Sequence, residues 1–344
     1  CYYIFFTKNK ILNYLLLITF ISVIFVLLDS MFQFFNYSSR DGFGEDLLGF
    51  KSNWYGRLTG PFGDELIPGS YVSKFGLVGF AFLLINKSFQ KINFIQVIYL
   101  SIILVVSFVS GERMAFATFS LALIMLFLFL NKKRITIGLS ILIGLVLIFT
   151  LIQFHPFYND YKVIESNQYH QGLKIEKEFE CDYDENKKCN KVINIQPSFL
   201  EIIKNFKTSA YGEIYILSFQ MFKDNPITGI GINNFNYLDE NNNKYKKMMV
   251  NYNCTSHPHN TYIQWLTEGG LIIFSIFLIY LFIICNLIIK NKGDKELKII
   301  ALVLILILFW PIMSTGSIIK NWYGISVFFI IAISMCLSRV KTSN

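Results

Sequence analysis

The sequence predicts an all-α polytopic membrane protein with about eight transmembrane helices and one large loop outside the cytoplasm. Three observations support this fold class: hydrophobic residues make up 53% of the 344 residues, they occur in long runs, and lysine and arginine cluster between those runs. A helix of about 20 apolar residues crosses roughly 30 Å of hydrocarbon. A soluble domain of this length builds its core from fewer and more widely spaced apolar residues, so the composition excludes that class.

Eight apolar runs are predicted to span the membrane. Two of them are short, which fits tilted or partly interfacial helices. The eight runs, of which 70–86 and 299–314 are the short ones, are 11–29, 70–86, 92–110, 114–130, 135–153, 269–290, 299–314 and 322–338.

The positive charges of the short loops predict the orientation, because lysine and arginine in such loops favour the cytoplasmic side. If the eight runs alternate in direction, these charges all fall on one side, which we predict to be cytoplasmic. This topology also accounts for the net charge of +8, which therefore predicts no nucleic-acid partner. The residues are Lys8, Lys10, Lys87, Lys91, Lys132, Lys133, Arg134, Lys290, Lys292, Lys295, Lys298, Arg339 and Lys341.

The opposite side is predicted to hold the polar segments, of which only 154–268 is long enough to form a small domain. Helix-like stretches are expected within it around 198–206 and 211–223. The other segments on this side are 30–69, 111–113 and 315–321. We predict three regions: 1–153 with five transmembrane helices and the outer loop, 154–268 as a loop domain, and 269–344 with three more transmembrane helices.

The six cysteines show no metal-site spacing, and no metal is predicted. Cys181 and Cys189 bracket a charged run in the outer loop, where they either form a local disulfide or remain two free thiols. The chain starts at Cys1 rather than methionine, so we expect a further N-terminal segment in the natural protein.

Two arginines depart from what a passive helix bundle needs. Arg57 lies in YGRLTGPFGDELIPGSY before the second run, and Arg113 lies in VSGERMAFATF between the third and fourth. A guanidinium at the membrane boundary is costly unless it is paired or faces a wet cavity. Arg113 either pairs with Glu112, reaches lipid phosphates, or binds an anionic substrate. Arg57 is either an ordinary exposed loop residue or a second anion contact.

A pair of histidines precedes the sixth run, in SHPHNTYIQWLTEGG at 256–270. A metal site would need further ligands at a standard spacing, which Cys254 and Glu268 do not supply. Neutral imidazole is the usual base for taking a proton from a hydroxyl, so His257 or His259 can serve in this role. In the alternative interpretation Asn260 or Thr261 caps a helix and the histidines only pack.

Taken together, these residues suit an anionic lipid headgroup and a hydroxyl nucleophile. Guanidinium groups bind phosphate oxygens in a bidentate manner, and they stabilise the charge that develops on a diphosphate leaving group. Sequence separation alone does not place the arginines and histidines together.

Four segments in order resemble the O-antigen ligase and O-antigen polymerase family of bacterial envelope glycosyltransferases. The last is the most specific, because His-Asn, an apolar stretch and then Glu-Gly at the start of a span are typical of the family. The glycine-rich GIGINNF is not interpreted as a nucleotide loop, since no strand precedes it. The segments are RLTGPFGDELIPGSY (57–71), SGERMAFATFSLAL (110–123), FKDNPITGIGINNF (222–235) and HPHNTYIQWLTEGGLI (257–272).

The resemblance implies a GT-C-like, all-helical transferase in the bacterial inner membrane, with its active site facing the periplasm. The donor would be a polyprenyl-diphosphate-linked glycan, used without a metal, a nucleotide sugar or another cofactor. Relatives usually have around a dozen spans, so about four would precede Cys1. By motif, Arg57 and Arg113 would bind the donor diphosphate, and Arg113 and His259 would be catalytic. Supporting residues would be His257, Asn260 and Glu268.

The chain departs from the family at one position. Many relatives carry another arginine ahead of the DNPITG-like segment, where this chain has SAYGEIY at 209–215. The third cationic contact is then either absent or supplied by Lys207 or Lys223.

The acceptor stays open. A ligase transfers the glycan to a lipid A core sugar, a polymerase to another glycan repeat, and an oligosaccharyltransferase to a protein serine or threonine. The ligase is favoured because this motif set is commonest in chains of that name. A transporter, which would need ionisable residues within its spans, and a structural subunit of an envelope complex are the alternatives from other classes.

Overall fold

The computed structural model describes residues 9–38, 42–52, 56–90, 93–159, 162–165, 175–181, 184–192, 206–248 and 256–341. This part of the chain is mostly helical. The chain divides into two compact units, an N-terminal unit, Tyr3–Pro197, and a C-terminal unit that contains Ser198–Asn344.

Helices dominate the N-terminal unit, where short 3₁₀ turns at Gly60–Phe62 and Asn131–Lys133 accompany them. Two short strands, β1 (Tyr37–Ser38) and β2 (Gly42–Phe43), pair in an antiparallel manner in the loop that follows the first helix. The helices are α1 (Asn9–Phe35), α2 (Pro68–Ile85), α3 (Lys87–Gln90), α4 (Asn93–Val109), α5 (Arg113–Phe129), α6 (Arg134–Phe154) and α7 (Pro156–Asn159).

Helix α2 is the most enclosed of the long helices in this unit. Small residues let its neighbour α4 approach closely, as is typical of helices packed in membranes. A side chain at Gly76 would overlap Ile103, and one at Gly79 would overlap Tyr99. The hydroxyl of Tyr99 donates a hydrogen bond to the carbonyl of Gly76 at 3.1 Å. These contacts hold the middle of α2 against α4, and the candidate site lies at the N-terminal end of α2.

Three further strands follow α7 in the order β3-β5-β4, all antiparallel. They are β3 (Lys162–Glu165), β4 (Ile175–Cys181) and β5 (Asp184–Val192). The sequence did not predict this sheet, because DENKKCNKV in β5 carries charges where a half-buried strand would alternate polar and apolar residues.

The C-terminal unit begins, among the described residues, with a 3₁₀ turn at Phe206–Thr208. Ile214, Leu217, Met221, Phe235 and Tyr245 form its buried cluster outside the apolar helices. The helices are α8 (Ala210–Asp224), α9 (Phe235–Asn241), α10 (Asn243–Lys246), α11 (Thr261–Lys290), α12 (Lys295–Leu308) and α13 (Asn321–Leu337).

Helix α11 is interrupted at Gly270, where the backbone takes φ 61° and ψ −165°. The segment 226–231 inserts at this break. The amides of Ile230 and Gly231 donate to the carbonyls of residues 267–268, each at 3.0 Å. The amides of residues 271–272 donate to the carbonyls of residues 226–227 at 2.9 and 3.3 Å. The groups released by the break are therefore satisfied by another piece of backbone.

Each of the eight predicted runs lies at least partly on a helix. Four helices are long and apolar enough to cross a membrane: Ile11–Phe35, Pro68–Ile85, Asn131–Phe154 and Thr261–Lys290. Asn93–Val109, Arg113–Phe129 and Trp322–Leu337 are shorter apolar helices. The membrane-helical class is confirmed in this coarse form, while eight spans, the GT-C-like architecture and the orientation stay predictions.

The structure differs from the predicted loops and helix ends at some positions. The helix expected at 211–223 is confirmed by α8, whereas 198–206 lies almost wholly outside the described residues. The run 299–314 was predicted too long, since α12 ends at Leu308 shortly before Pro311, which lacks the amide that continues a helix. The side chains of Cys181 and Cys189 lie outside what the structure describes, so their disulfide stays a prediction. The boundaries 1–153, 154–268 and 269–344 stay a prediction as well.

Candidate functional site

Arg57 lies in a loop that is tied to two helices of the N-terminal unit. Near the end of α1, Oε1 of Gln33 accepts hydrogen bonds from the amides of residues 59–60 at 3.0 and 2.9 Å. On the other side, the amide of Leu58 donates to the carbonyl of Ser110 at 3.2 Å, next to the end of α4. The backbone on both sides of the arginine is therefore fixed by helices.

The guanidinium of Arg57 is half-buried and only partly satisfied. Its Nη2 donates to the carbonyl of Leu66 over a long 3.5 Å, and its buried Nε meets no hydrogen-bond acceptor among the described residues. Gly111 has a positive φ of 76°, and a side chain there would press on the carbonyl of Gly56 and on Arg57. The glycine thus allows the arginine loop to lie against the turn at 110–113.

Glu112, in that turn, caps the N-terminus of α2. Its Oε1 accepts from the amide of Gly69 at 2.6 Å, and its Oε2 accepts from the hydroxyl of Ser70 at 2.5 Å. A carboxylate there satisfies amides that lack helical partners and interacts favourably with the helix dipole. Burial raises the pKa of the Glu112 carboxyl, while the hydrogen bonds from Ser70 and the charges of Arg57 and Lys74 oppose that rise.

Lys74 is a site residue that the sequence analysis missed. It lies one turn beyond Ser70 on α2, is only 8% exposed, and interacts electrostatically with Glu112. Its ammonium makes no hydrogen bond to a described residue. The signal was present, because Lys74 is the single charge within an otherwise apolar predicted run, and such residues mark functional sites by default.

Arg113 is the first residue of α5 and is half-buried. It follows Glu112 directly, so it starts from the same turn against which the Arg57 loop lies. The structure therefore brings the two predicted arginines to one end of the N-terminal unit, together with Lys74 and Glu112.

Asn260 begins α11 in the C-terminal unit. Its Oδ1 accepts from the amides of Tyr262 (3.0 Å) and Ile263 (3.1 Å), as a helix N-cap does. Its Nδ2 donates to the carbonyls of Pro311 at 2.8 Å and Met313 at 3.1 Å. Asn260 therefore caps the helix, as the alternative interpretation predicted. The same side-chain amide also binds the segment that follows α12.

His257 lies within a short chain of hydrogen bonds. The ammonium of Lys320 donates to Oγ of Ser256 at 2.9 Å, and Ser256 Oγ lies 2.9 Å from Nδ1 of His257. Nε2 of His257 lies 3.2 Å from the carbonyl of Thr315, which can only accept. Burial, followed by the charge of His259, lowers the pKa of His257 to about 4, so this imidazole is neutral at physiological pH.

His259 is the more accessible of the two histidines and has a strained backbone with φ 53°. The amide of Thr315 donates to its carbonyl at 2.8 Å, which helps to hold this conformation. Its ring centroid lies 4.1 Å from that of His257 and 5.9 Å from that of Tyr211 on α8. Burial, and then the charge of Lys320, lowers the pKa of His259 below its ordinary value. The imidazole therefore favours the unprotonated form that a base requires.

Glu268 lies two turns further along α11 and is almost fully buried. Its carboxylate accepts from the amide of Asn233 and from Nε2 of Gln264, the latter at 3.3 Å. Gln264 also donates to Ser317 Oγ at 2.7 Å. Glu268 thus joins α11 to the backbone just after the inserted segment, and its supporting role stays a prediction.

The predicted site residues fall into two groups. Arg57 and Arg113 belong to the N-terminal unit, whereas His257, His259, Asn260 and Glu268 belong to the C-terminal unit. Lys207 and Lys223, the alternatives for a third cation, are both exposed, and Lys223 lies over the ring of Phe219. Within the N-terminal unit, Lys74 is a third cation besides Arg57 and Arg113, and it interacts with Glu112.

Part of both units is similar to a known protein family. A model of the family described as O-antigen ligase matches residues 98–278, which is more than half of the chain. The chain belongs to the O-antigen ligase family. No curated protein matches the chain.

Membership in the O-antigen ligase family confirms the resemblance inferred from the four motifs. The family match begins within α4 and ends within α11, so it includes Arg113, both histidines and the inserted segment. Together with the apolar helices, it makes the chain a bacterial membrane protein of ligase- or polymerase-type glycan transfer. The roles of the individual residues stay predictions.

Proposed function

We propose that the chain is an O-antigen ligase that transfers a glycan from a polyprenyl diphosphate to a hydroxyl of a lipid A core sugar. The reaction takes place on the periplasmic face of the inner membrane. The observation that carries the proposal is the pair of cations, Arg57 and Lys74, that interact with Glu112, a carboxylate already engaged in capping a helix. Arg113 follows Glu112 directly in the chain and begins the next helix.

The charges that interact with Glu112 favour an anionic ligand. Arg57 and Lys74 both interact electrostatically with Glu112, so two positive charges share one acidic group. Cations held in such enclosed surroundings are costly without a counter-charge. A diphosphate esterified at both ends carries two negative charges, and guanidinium groups bind its oxygens well. No metal or nucleotide is invoked in this proposal.

The second part of the proposal concerns proton transfer. The oxygen of the acceptor hydroxyl attacks the anomeric carbon of the donor, the bond from that carbon to the diphosphate oxygen breaks, and the polyprenyl diphosphate leaves with the electron pair. His259 takes the proton of the hydroxyl. The cations stabilise the charge that develops on the leaving group, which is where fixed electrostatic groups contribute most to catalysis.

The direct test uses the purified chain in lipid nanodiscs with a fluorescent polyprenyl-diphosphate-linked glycan. Arg113→Lys should lower the transfer rate about tenfold to a hundredfold, since it keeps the charge but loses bidentate hydrogen bonds worth about 1.5–3 kcal/mol. His259→Ala should abolish turnover while leaving donor binding nearly unchanged. Normal turnover by either variant would remove that residue from the mechanism, and donor binding without cleavage by the wild type would indicate a transporter.

The acceptor is tested in two bacterial strains, one without its ligase and one without its polymerase. Restoration of capped lipopolysaccharide ladders in the first strain supports the ligase. Long chains restored only in the second strain would make the protein a polymerase. Glycan recovered on serine or threonine of a periplasmic protein would make it an oligosaccharyltransferase.

A further inference from the structure

The segment between α12 and α13 carries a lysine that no motif pointed to. Lys320 is the last residue before α13 and its side chain is exposed, yet its ammonium is engaged with Ser256 at 2.9 Å. By the predicted topology Lys320 lies in the short outer loop 315–321, whereas the lysines of the other short loops are all predicted to be cytoplasmic. This exception is the one sequence signal that could have identified it.

The hydrogen bonds of this segment have a defined direction. An ammonium only donates, so Ser256 Oγ accepts from Lys320 and has its own proton free to donate to Nδ1 of His257. The carbonyl of Thr315 only accepts, so Nε2 of His257 carries the hydrogen. The chain of bonds thus selects one tautomer of His257, whose ring packs on His259 at 4.1 Å between centroids.

We propose that Lys320 is a positioning residue for His259, acting through Ser256 and the fixed ring of His257. This inference rests on the proposed function, because it assigns His259 as the base. Lys320 has a second effect through its charge, which lowers the pKa of His259 after the larger effect of burial. The lysine therefore orients the base and disfavours its protonation before the acceptor hydroxyl binds.

Among the groups that the structure describes near His259, Lys320 supplies the charge that lowers its pKa after burial. On α8, Tyr211 makes a ring contact, and Tyr215, whose pKa burial raises to about 12, is neutral at physiological pH. Within its own segment His257 is neutral. On α11, Glu268 is turned to Gln264 and Asn233.

The decisive measurement is a titration that needs no donor. The chain has four histidines, so isotope-labelled histidine gives few signals by nuclear magnetic resonance, and His257→Gln and His259→Gln assign the two of interest. Lys320→Met should raise the titration midpoint of His259 by about half a pH unit, because one nearby partly screened charge is removed. Lys320→Arg should stay near the wild type, and Lys292→Met serves as the matched control.

Ser256→Ala separates orientation from charge. It keeps the lysine but removes the bond to Nδ1, so the nitrogen shifts of His257 should change from one tautomer to a mixture. An unchanged midpoint of His259 in Lys320→Met, or an unchanged tautomer in Ser256→Ala, would overturn the proposal.

Turnover supplies the second readout. In Lys320→Met, the acid limb of the pH profile of kcat/KM should move to higher pH by the same amount as the titration midpoint. In Lys320→Arg, the limb should lie near its wild-type position. A wild-type chain that transfers no glycan would defeat the proposed function alone, since the titration tests Lys320 independently. A limb that stays in place while the midpoint moves would show that His259 is not the base that Lys320 positions.

Discussion

In the N-terminal unit, the carboxylate of Glu112 links the end of a helix to two cations. It holds the first amides of α2 and at the same time faces Arg57 and Lys74. Because its oxygens are occupied by Gly69 and Ser70, it orients the end of the helix without pairing fully with either cation. The two cations therefore keep their capacity to bind an anion.

Lys74 gives the first prediction at this scale. Lys74→Met should raise the KM for the polyprenyl-diphosphate donor about tenfold or more, since a hydrogen bond to a charged group contributes about 1.5–3 kcal/mol. Because the methionine also relieves the burial of a charge, the thermal unfolding midpoint should not fall. Lys51→Met, on an exposed loop of the same unit, should change neither quantity. An unchanged KM with a lowered midpoint would make Lys74 structural.

His257 gives a prediction about pH. Its pKa in the folded chain is about 4, below the ordinary value of 6.5, so the unfolded chain binds more protons between these values. Stability is therefore full above about pH 6.5 and falls as the pH decreases, by at most about 1.4 kcal/mol per pH unit. His257→Gln retains an acceptor for Ser256 and a donor for Thr315 but does not titrate. The loss of thermal stability between pH 7 and pH 5 should be smaller in this variant, and an equal loss would refute the assignment.

In both units, the sequence predicted the candidate residues that belong to motifs and missed those that do not. Arg57, Arg113 and His259 stand in segments with a recognisable order. Lys74 was overlooked because one charge hardly alters an apolar run. Lys320 was overlooked because its partner Ser256 lies 64 positions away, and only folding brings them together.

Among the elements, α11 differs most from a simple transmembrane helix. Gly269 and Gly270 are a visible signal for weakness in a helix, but nothing in the sequence states which segment fills the break. The ends of α12 and the sheet β3-β5-β4 also could not be predicted from the sequence. Apolar runs predict where helices lie, whereas helix ends depend on the backbone partners that the fold supplies.

Gly270 gives the prediction for this element. A side chain there would meet the carbonyl of Ile227 at 2.4 Å and the amide of Gly229 at 2.5 Å, in a backbone conformation with φ 61° that already disfavours it. Gly270→Ala should therefore lower the thermal unfolding midpoint markedly. Gly63→Ala is the matched control, because φ is 64° there and no atom lies within 4 Å of the added carbon. Equal losses in the two variants would show that backbone strain, and not the inserted segment, sets the cost.

For the whole molecule, the predicted topology is open to direct measurement. In a chain whose native cysteines are replaced by serine, single cysteines at Lys207 and Lys247 should react with an impermeant maleimide from the periplasmic side. Cysteines at Lys132 and Lys292 should react only after the membrane is permeabilised. The reverse pattern would invert the topology and would place His259 in the cytoplasm, where the proposed donor is not presented.

The backbone pairing at the break in α11 constrains the chain in length more than in side-chain identity. Its four hydrogen bonds join main-chain atoms, so the side chains of Ile227, Thr228 and Ile230 can change without breaking them. Deleting or adding one residue between Ile227 and Ile230 would put the two pairs of bonds out of register with each other, so that both could not form together. Related chains should accordingly vary freely in the length of their other loops while keeping a constant spacing across the segment 226–231. A loop transplanted from a relative will function only when its ends fall outside these six positions.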